Sequence, residues 1–148
     1  VGEVNVVIEM KRVGAIIGGE GNGGIIYPEI HYGRDALVGV ALFLSLLVER
    51  KKSVSDIRAS YPSYFMSKNK IILKKEVDVA QIFKTIKRKY RNNNMSTVDG
   101  LKIDFSEEWI HLRKSNTEPI IRVITEAKTQ VSADDLAKKF INEIKQLF

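Results

Sequence analysis

Residues 36–48, thirteen in a row, carry no charge, and this run constrains the fold more than any other stretch of the chain. It is well short of the roughly 20 apolar residues that a helix needs to cross a bilayer, so no membrane span is expected. Gly33 and Asp35 open it, and the expectation is a helix over 35–50 that is apolar on every side. Such a helix has to be covered on most of its surface by other protein.

The flanking segments read as short elements. Val4, Val7, Ile8 and Met10 with interleaved polar residues predict a helix over 5–12, and an apolar strand follows over 15–17. A glycine-rich turn, GGEGNGG, occupies 18–24, and residues 25–28 should be extended because Pro28 disfavours helix in its predecessor. Ser53 with Asp56 three residues later has the form of a capping box and predicts a helix over 54–60. Tyr61-Pro62-Ser63-Tyr64 breaks that helix, and 61–66 reads as a hinge between a first domain, 1–60, and a second, 67–148.

Beyond the hinge the pattern changes. A strand is expected over 70–75. Val79, Ile82, Phe83, Ile86 and Tyr90 then recur at the three- and four-residue spacing of an amphipathic helix. Residues 92–94, all Asn, should end it. A turn at 98–100 leads to a strand over 101–105, a tight connection at 106–108 to an alternating strand over 109–113, and a further strand runs over 120–124. Ser132 with Asp135 predicts the start of a last helix, whose inner stripe is Leu136, Phe140, Ile144 and Leu147. The second unit is therefore expected to be an α+β sandwich of about 80 residues, a four-stranded sheet covered by two helices.

Charge is unevenly placed. The net charge is +6, yet residues 1–60 hold 7 Lys and Arg against 7 Asp and Glu, while 61–148 hold 17 against 11. The absence of cysteine rules out a disulfide framework or a thiolate metal site and points to an intracellular, cytoplasmic home. The chain starts Val-Gly-Glu, without an initiator Met or a secretory pattern, and is expected to be a piece of a longer protein.

The basic second unit holds the segment RKSNTEPIIR, residues 113–122. Arg113 and Arg122 bracket Ser115, Asn116 and Thr117, which offer two hydroxyls, an amide and several backbone N–H groups. Guanidinium groups give planar, bidentate, always-charged donors to phosphate, and successive N–H groups in a turn form an anion-binding nest. Arg122 shares a strand face with Ile120 and Ile124, where a charge needs a partner. Two readings stand: a cradle for a dianion, or a polar turn whose arginines pair with Glu118 and Glu126.

The glycine turn fits a second motif only on paper. Gly19, Gly21 and Gly24 have the spacing of a dinucleotide-binding loop, but that loop must open a helix, and here β-prone residues and Pro28 follow. What the turn does offer is Glu20 and Asn22 on a freely shaped backbone. A carboxylate and an amide suit the hydroxyls of a sugar; the plainer reading is a tight turn with Glu20 solvated.

A rival of another class is a nucleic-acid-binding module, drawn from Lys84, Lys87, Arg88, Lys89 and Arg91 around Tyr90. The helical periodicity makes that run the solvated face of a helix, and no exposed aromatic residues stand ready for base stacking. Neither His31 nor His111 has a second ligand at metal spacing, and both read as structural, as does Trp109.

The two motifs together resemble those of the α-D-phosphohexomutases, the phosphoglucomutase, phosphomannomutase and phosphoglucosamine mutase enzymes: GGEGNGG at 18–24, then R-x-SNTEP-x-x-R at 113–122, in that order. The resemblance covers essentially all of the chain but only the C-terminal third of such an enzyme. It implies the final part of an α/β domain, the family's third, followed by a complete α+β C-terminal domain, the fourth. It implies that Glu20 and Asn22 (Asn22 where many members have Ser) bind sugar hydroxyls. Arg113, Ser115, Asn116, Thr117 and Arg122 would hold the non-transferring phosphate. Glu3 stands where several members have His.

In the family a phosphoserine on the first domain passes its phosphoryl group to a hexose monophosphate. A hexose 1,6-bisphosphate forms, turns over and returns the other phosphate, supported by a magnesium ion on an aspartate-rich loop of the second domain. Neither loop is in this chain, so the resemblance implies no catalytic residue and no metal ligand here, and no turnover by these residues alone. The missing N-terminal domains would be partners, and the hinge would close on the hexose phosphate substrate. If the first domain is incomplete, the apolar helix favours self-association; neither nucleic acid nor membrane is expected as a partner.

Overall fold

The computed structural model describes residues 2–74 and 77–148. In the first of its two units, Val1–Pro62, helix α1 runs Glu3–Val13, with Glu3 in its first turn and Lys11 and Arg12 in its last. This placement complements the helix dipole. The strand expected over 15–17 is absent. Ile16 is 79% exposed, and pairing begins at Gly18–Gly19 (β1), where Gly18 lies opposite the buried Ile26. β1 pairs antiparallel with Ile25–Tyr27 (β2), and β2 with His31–Arg34 (β3).

Helix α2, Ala36–Arg50, starts at Asp35, whose carboxylate accepts the Val38 N–H, and ends at Lys51 in the left-handed region. The expected burial of this helix is not met: none of its residues is buried, and Leu37 and Val48 are 81% and 76% exposed. The strands of this unit are two to four residues long, too small a sheet to cover a helix of fifteen residues. Helix α3, Val54–Ala59, starts as predicted: the Ser53 hydroxyl accepts the Asp56 N–H and donates to the Asp56 carboxylate.

The second unit, Ser63–Phe148, is α+β. Its elements are β4 (Phe65–Ile72), α4 (Val79–Lys89), β5 (Asn94–Ser96), β6 (Leu101–Asp104), β7 (Glu108–Lys114), β8 (Ile120–Ala127) and α5 (Gln130–Lys145). The sheet is antiparallel throughout, in the order β4-β8-β7-β6-β5. It has five strands, not four, because Asn94 both follows the end of α4 and opens β5 opposite Asp104. The strand expected at 70–75 begins five residues earlier, so Phe65 and Met66 are ladder residues rather than hinge; Lys75 lies outside the described residues. Helix α5 begins before Ser132, since Thr129 accepts the Ser132 N–H and so takes the cap.

Both helices lie on one face of this sheet. Ile71, Ile121, Val123, Leu112 and Ile103 point into the same core as Ile82, Ile86, Phe140 and Ile144. Leu147, expected in the inner stripe, lies past the end of α5 and is 43% exposed. Tyr90 stacks on Phe140 and donates its hydroxyl to Glu143. Arg122 is on the opposite face with Ile124, and there it is exposed rather than buried among apolar residues.

Candidate functional site

The loop between β7 and β8 is built around one side chain. Ser115 is buried, and its Oγ accepts the N–H groups of Thr117 and Glu118 at 3.4 and 3.3 Å. The Ser115 N–H donates to the Ile120 carbonyl, and the Leu73 N–H donates to the Pro119 carbonyl, which ties the loop to the end of β4. A turn fastened at both ends and from within holds its shape before any ligand arrives.

Arg113 and Arg122 face each other directly across the β7–β8 ladder. Opposed residues of an antiparallel pair project from the same face, here the face away from the helices. With Lys114, Ser115, Asn116 and Thr117 they line one cavity of about 160 Å³. All five residues singled out in the second unit are thus brought together. Lys114 joins them without having been picked out, because strand alternation alone sends it elsewhere.

Their counter-charges are unequal. Arg113 Nε lies 3.1 Å from the Asp99 carboxylate, and both side chains are largely covered. Arg122 reaches Glu118 only at 3.9 Å, with both about half exposed. Glu126, the other partner considered for an arginine, instead accepts the indole N–H of Trp109. Three cations therefore face two carboxylates around a cavity with polar walls, an arrangement suited to a tetrahedral oxyanion. Sequence reasoning missed Asp99 as a contributor, since an Asp-Gly turn gives no sign of which later residue it will meet.

The glycine turn of the first unit is equally organised. Asn22 Oδ1 accepts the Gly24 N–H at 3.0 Å, and the Glu20 N–H donates to the Gly24 carbonyl. Glu20 is not solvated: only 13% of its side chain is exposed, and it accepts the Gly2 N–H and meets Arg34 at 3.6 Å. Arg34 also pairs with Glu3 at 2.7 Å. A Cβ on Gly24 would stand 2.7 Å from Arg34 Cδ, so a larger residue there would require the Arg34 side chain to shift.

Beside this network lies a cavity of about 540 Å³ whose walls include Glu3, Asn22, Gly24, Arg34 and Asp35. Asn22 presents itself to this space, whereas Glu20 braces Arg34 from behind. The Val38 N–H at the start of α2, helped by His31, holds the Asp35 carboxyl below the usual carboxylate range. Arg34 and Glu3 are further polar groups here, and the sequence showed them only as neighbours of a turn.

Lys84, Lys87, Arg88, Lys89 and Arg91 are exposed, while Tyr90 is half-buried, packed against the core and stacked on Phe140, with Lys89 over its ring. His31 bonds Asp35 and His111 bonds the Asp99 carbonyl. Among the described residues no three His, Asp or Glu side chains converge as a cation site. No described helix is long and apolar enough to cross a membrane.

Two compact units, each carrying an ordered polar loop, define the structural class of this chain. Comparison with known proteins narrows the class. The family model described as "Phosphoglucomutase/phosphomannomutase, alpha/beta/alpha domain III" matches residues 1–64, and "Phosphoglucomutase/phosphomannomutase, C-terminal domain" matches 66–143. A phosphoglucosamine/phosphogalactosamine mutase of Sulfurisphaera tokodaii is 36% identical over 99% of this chain and 32% of its own length. A phosphoglucomutase/phosphomannomutase of Thermococcus kodakarensis is 33% identical over 90% of this chain and 29% of its own. The crystal structure of a phosphoglucomutase/phosphomannomutase family protein from Burkholderia thailandensis shares the fold, with a TM-score of 0.72 at 21% identity, covering 99% of this chain and 31% of that one.

The chain belongs to the phosphoglucomutase/phosphomannomutase family, the α-D-phosphohexomutases. It spans about a third of the length of the curated relatives it matches.

Proposed function

We propose that this chain is the substrate-gripping portion of a phosphohexomutase that interconverts hexose 1-phosphates and hexose 6-phosphates by way of a hexose 1,6-bisphosphate. The observation that carries this reading is the direct opposition of Arg113 and Arg122 above the loop shaped by Ser115. Two guanidiniums at that spacing can share a dianion, with donors from Asn116 and Thr117 completing its coordination. Arg113, Ser115, Asn116, Thr117 and Arg122 thus hold the phosphate that is not being transferred, and Lys114 adds charge at the rim.

In the first unit, Asn22 and the Glu20–Arg34–Glu3 network address the sugar hydroxyls, with Glu20 acting chiefly by fixing Arg34. Placement and charge stabilisation account for most of phosphoryl-transfer catalysis, and both are what these loops supply. The phosphoserine and the magnesium loop used by the family lie on other segments, and no step through the metal is assigned to these residues. Binding without turnover is the expected behaviour of the 148 residues by themselves.

A second reading within the family concerns the sugar. Glu3 and Asp35 line the first unit's cavity, and carboxylates there suit the ammonium group of a hexosamine phosphate as well as they suit hydroxyls. Relatives named as phosphoglucosamine mutases point the same way. Calorimetric titration with the 1- and 6-phosphates of glucose, mannose and glucosamine tests both. Binding that disappears in the Arg113→Ala, Arg122→Ala double variant is expected, and equal affinity in wild type and variant would remove the phosphate reading. A preference for the amino sugar that is abolished by Glu3→Gln would decide for the second.

A further inference from the structure

The turn that precedes β6 is fastened to three consecutive residues of β7. The Asp99 carbonyl is bonded by the ring of His111, itself 7% exposed. Gly100 sits at φ 77, so close to the Leu112 carbonyl that a Cβ would collide with it. The Asp99 carboxylate then meets Arg113 Nε at 3.1 Å, with side-chain exposures of 21% and 34%. A pair so covered is screened less than the half-exposed Arg122–Glu118 pair, and its geometry is set by backbone on both sides.

We propose that Asp99 is a positioning residue for the phosphate site: it fixes the guanidinium of Arg113 over the cavity, with His111 and Gly100 holding the turn in place behind it. The inference rests on the phosphate reading given above. Arg carries many rotamers, and a carboxylate on Nε selects among them before the ligand arrives, so that less freedom is lost on binding. The opposing effect is charge. Asp99 lowers the positive potential of the cavity, and its removal would by itself strengthen attraction for an anion. The sign of the change on removing Asp99 therefore tells which effect prevails; positioning predicts weaker binding.

The experiment is a double-mutant cycle on the full chain, titrated with inorganic phosphate and with glucose 6-phosphate. Asp99→Ala is expected to weaken binding about tenfold, the low end of the loss seen when a group that orients a metal ligand is removed. The double variant Asp99→Ala, Arg113→Ala is expected to bind no more weakly than Arg113→Ala alone, because the Asp99 effect passes through Arg113. Asp99→Asn, which keeps a carbonyl oxygen at the same reach, should lose less, and it carries the cycle if the alanine variant does not fold. Unchanged or tighter binding on removing Asp99, or losses that simply add to those of Arg113→Ala, overturns the proposal while leaving the phosphate site intact. An Arg113→Ala variant that binds phosphate as wild type does, or a wild type that binds none, overturns the phosphate reading and the role of Asp99 with it.

Discussion

Tyr90 invites two readings, one from its place in the apolar stripe of α4 and one from its basic neighbours, and its contacts favour the first. It stands beside a run of lysines and arginines, yet its ring stacks on Phe140 with centroids 4.8 Å apart and its hydroxyl donates to Glu143. Burial, and then the hydrogen bond to Glu143, push the phenol well above its usual range. A group whose folded pKa is raised contributes stability below its unfolded value, about 10 for tyrosine, and loses it as pH climbs further. Tyr90→Phe should therefore cost about 1 kcal/mol at pH 8, the typical value of a hydrogen bond. Urea unfolding should also show wild type losing that advantage above about pH 10. Equal alkaline dependence in the two proteins would mean that the Tyr90–Glu143 bond does not stabilise the fold. Asp99 is the complementary case: its local sequence marks a turn, and only the register of β6 on β7 decides that the turn ends at Arg113.

At the scale of elements, legibility followed the sources of cohesion. Helix α4 and the last three strands were visible because their apolar spacing matches the core they enter. The loop at 113–122 was visible as a polar turn between two strands, since Ser115, Asn116, Thr117 and Pro119 interrupt the β-prone residues on either side. β5 was hidden, since its three residues Asn94, Met95 and Ser96 carry little β-propensity and are held by pairing with β6. Residues 15–17 misled in the opposite way: they are β-prone, but the ladder partner sits across from the glycines that follow.

Helix α2 was placed correctly and its burial was not, because burial depends on what surrounds a helix as well as on its own sequence. Leu37, Leu44 and Val48 recur at helical spacing and are 81%, 54% and 76% exposed. A stripe of that kind drives association in water. Sedimentation of the chain should show dimers or larger species, and Leu37→Lys with Leu44→Lys should return it to a monomer without loss of helix signal. A wild-type chain that sediments as a monomer at high concentration would show that the stripe is tolerated.

Taken whole, the molecule divides its stability as unevenly as its charge. The second unit has a continuous core crossing β4, β6, β7, β8 and both helices, whereas among the described residues the buried apolar side chains of the first unit are Met10, Ile26 and Ile57. Regions with few buried contacts open at lower free energy than the global transition. Hydrogen exchange is expected to be fast across α1, α2 and β1 to β3 and slow in β7, β8 and α5. Uniform protection over both units would show that the first draws on support not apparent in its own packing.

The pairing of Arg113 with Arg122 has a consequence for assembly of the sheet itself. Like charges directly opposed across two strands push those strands apart, and a slip of one residue in their alignment would send one arginine to the helix-covered side. On the phosphate reading proposed above, a bound dianion would answer both faults, since it would cancel the repulsion and be satisfied in one alignment only. It would act as a gauge pin between β7 and β8, so that ligand present while the chain folds favours the correct alignment from the outset.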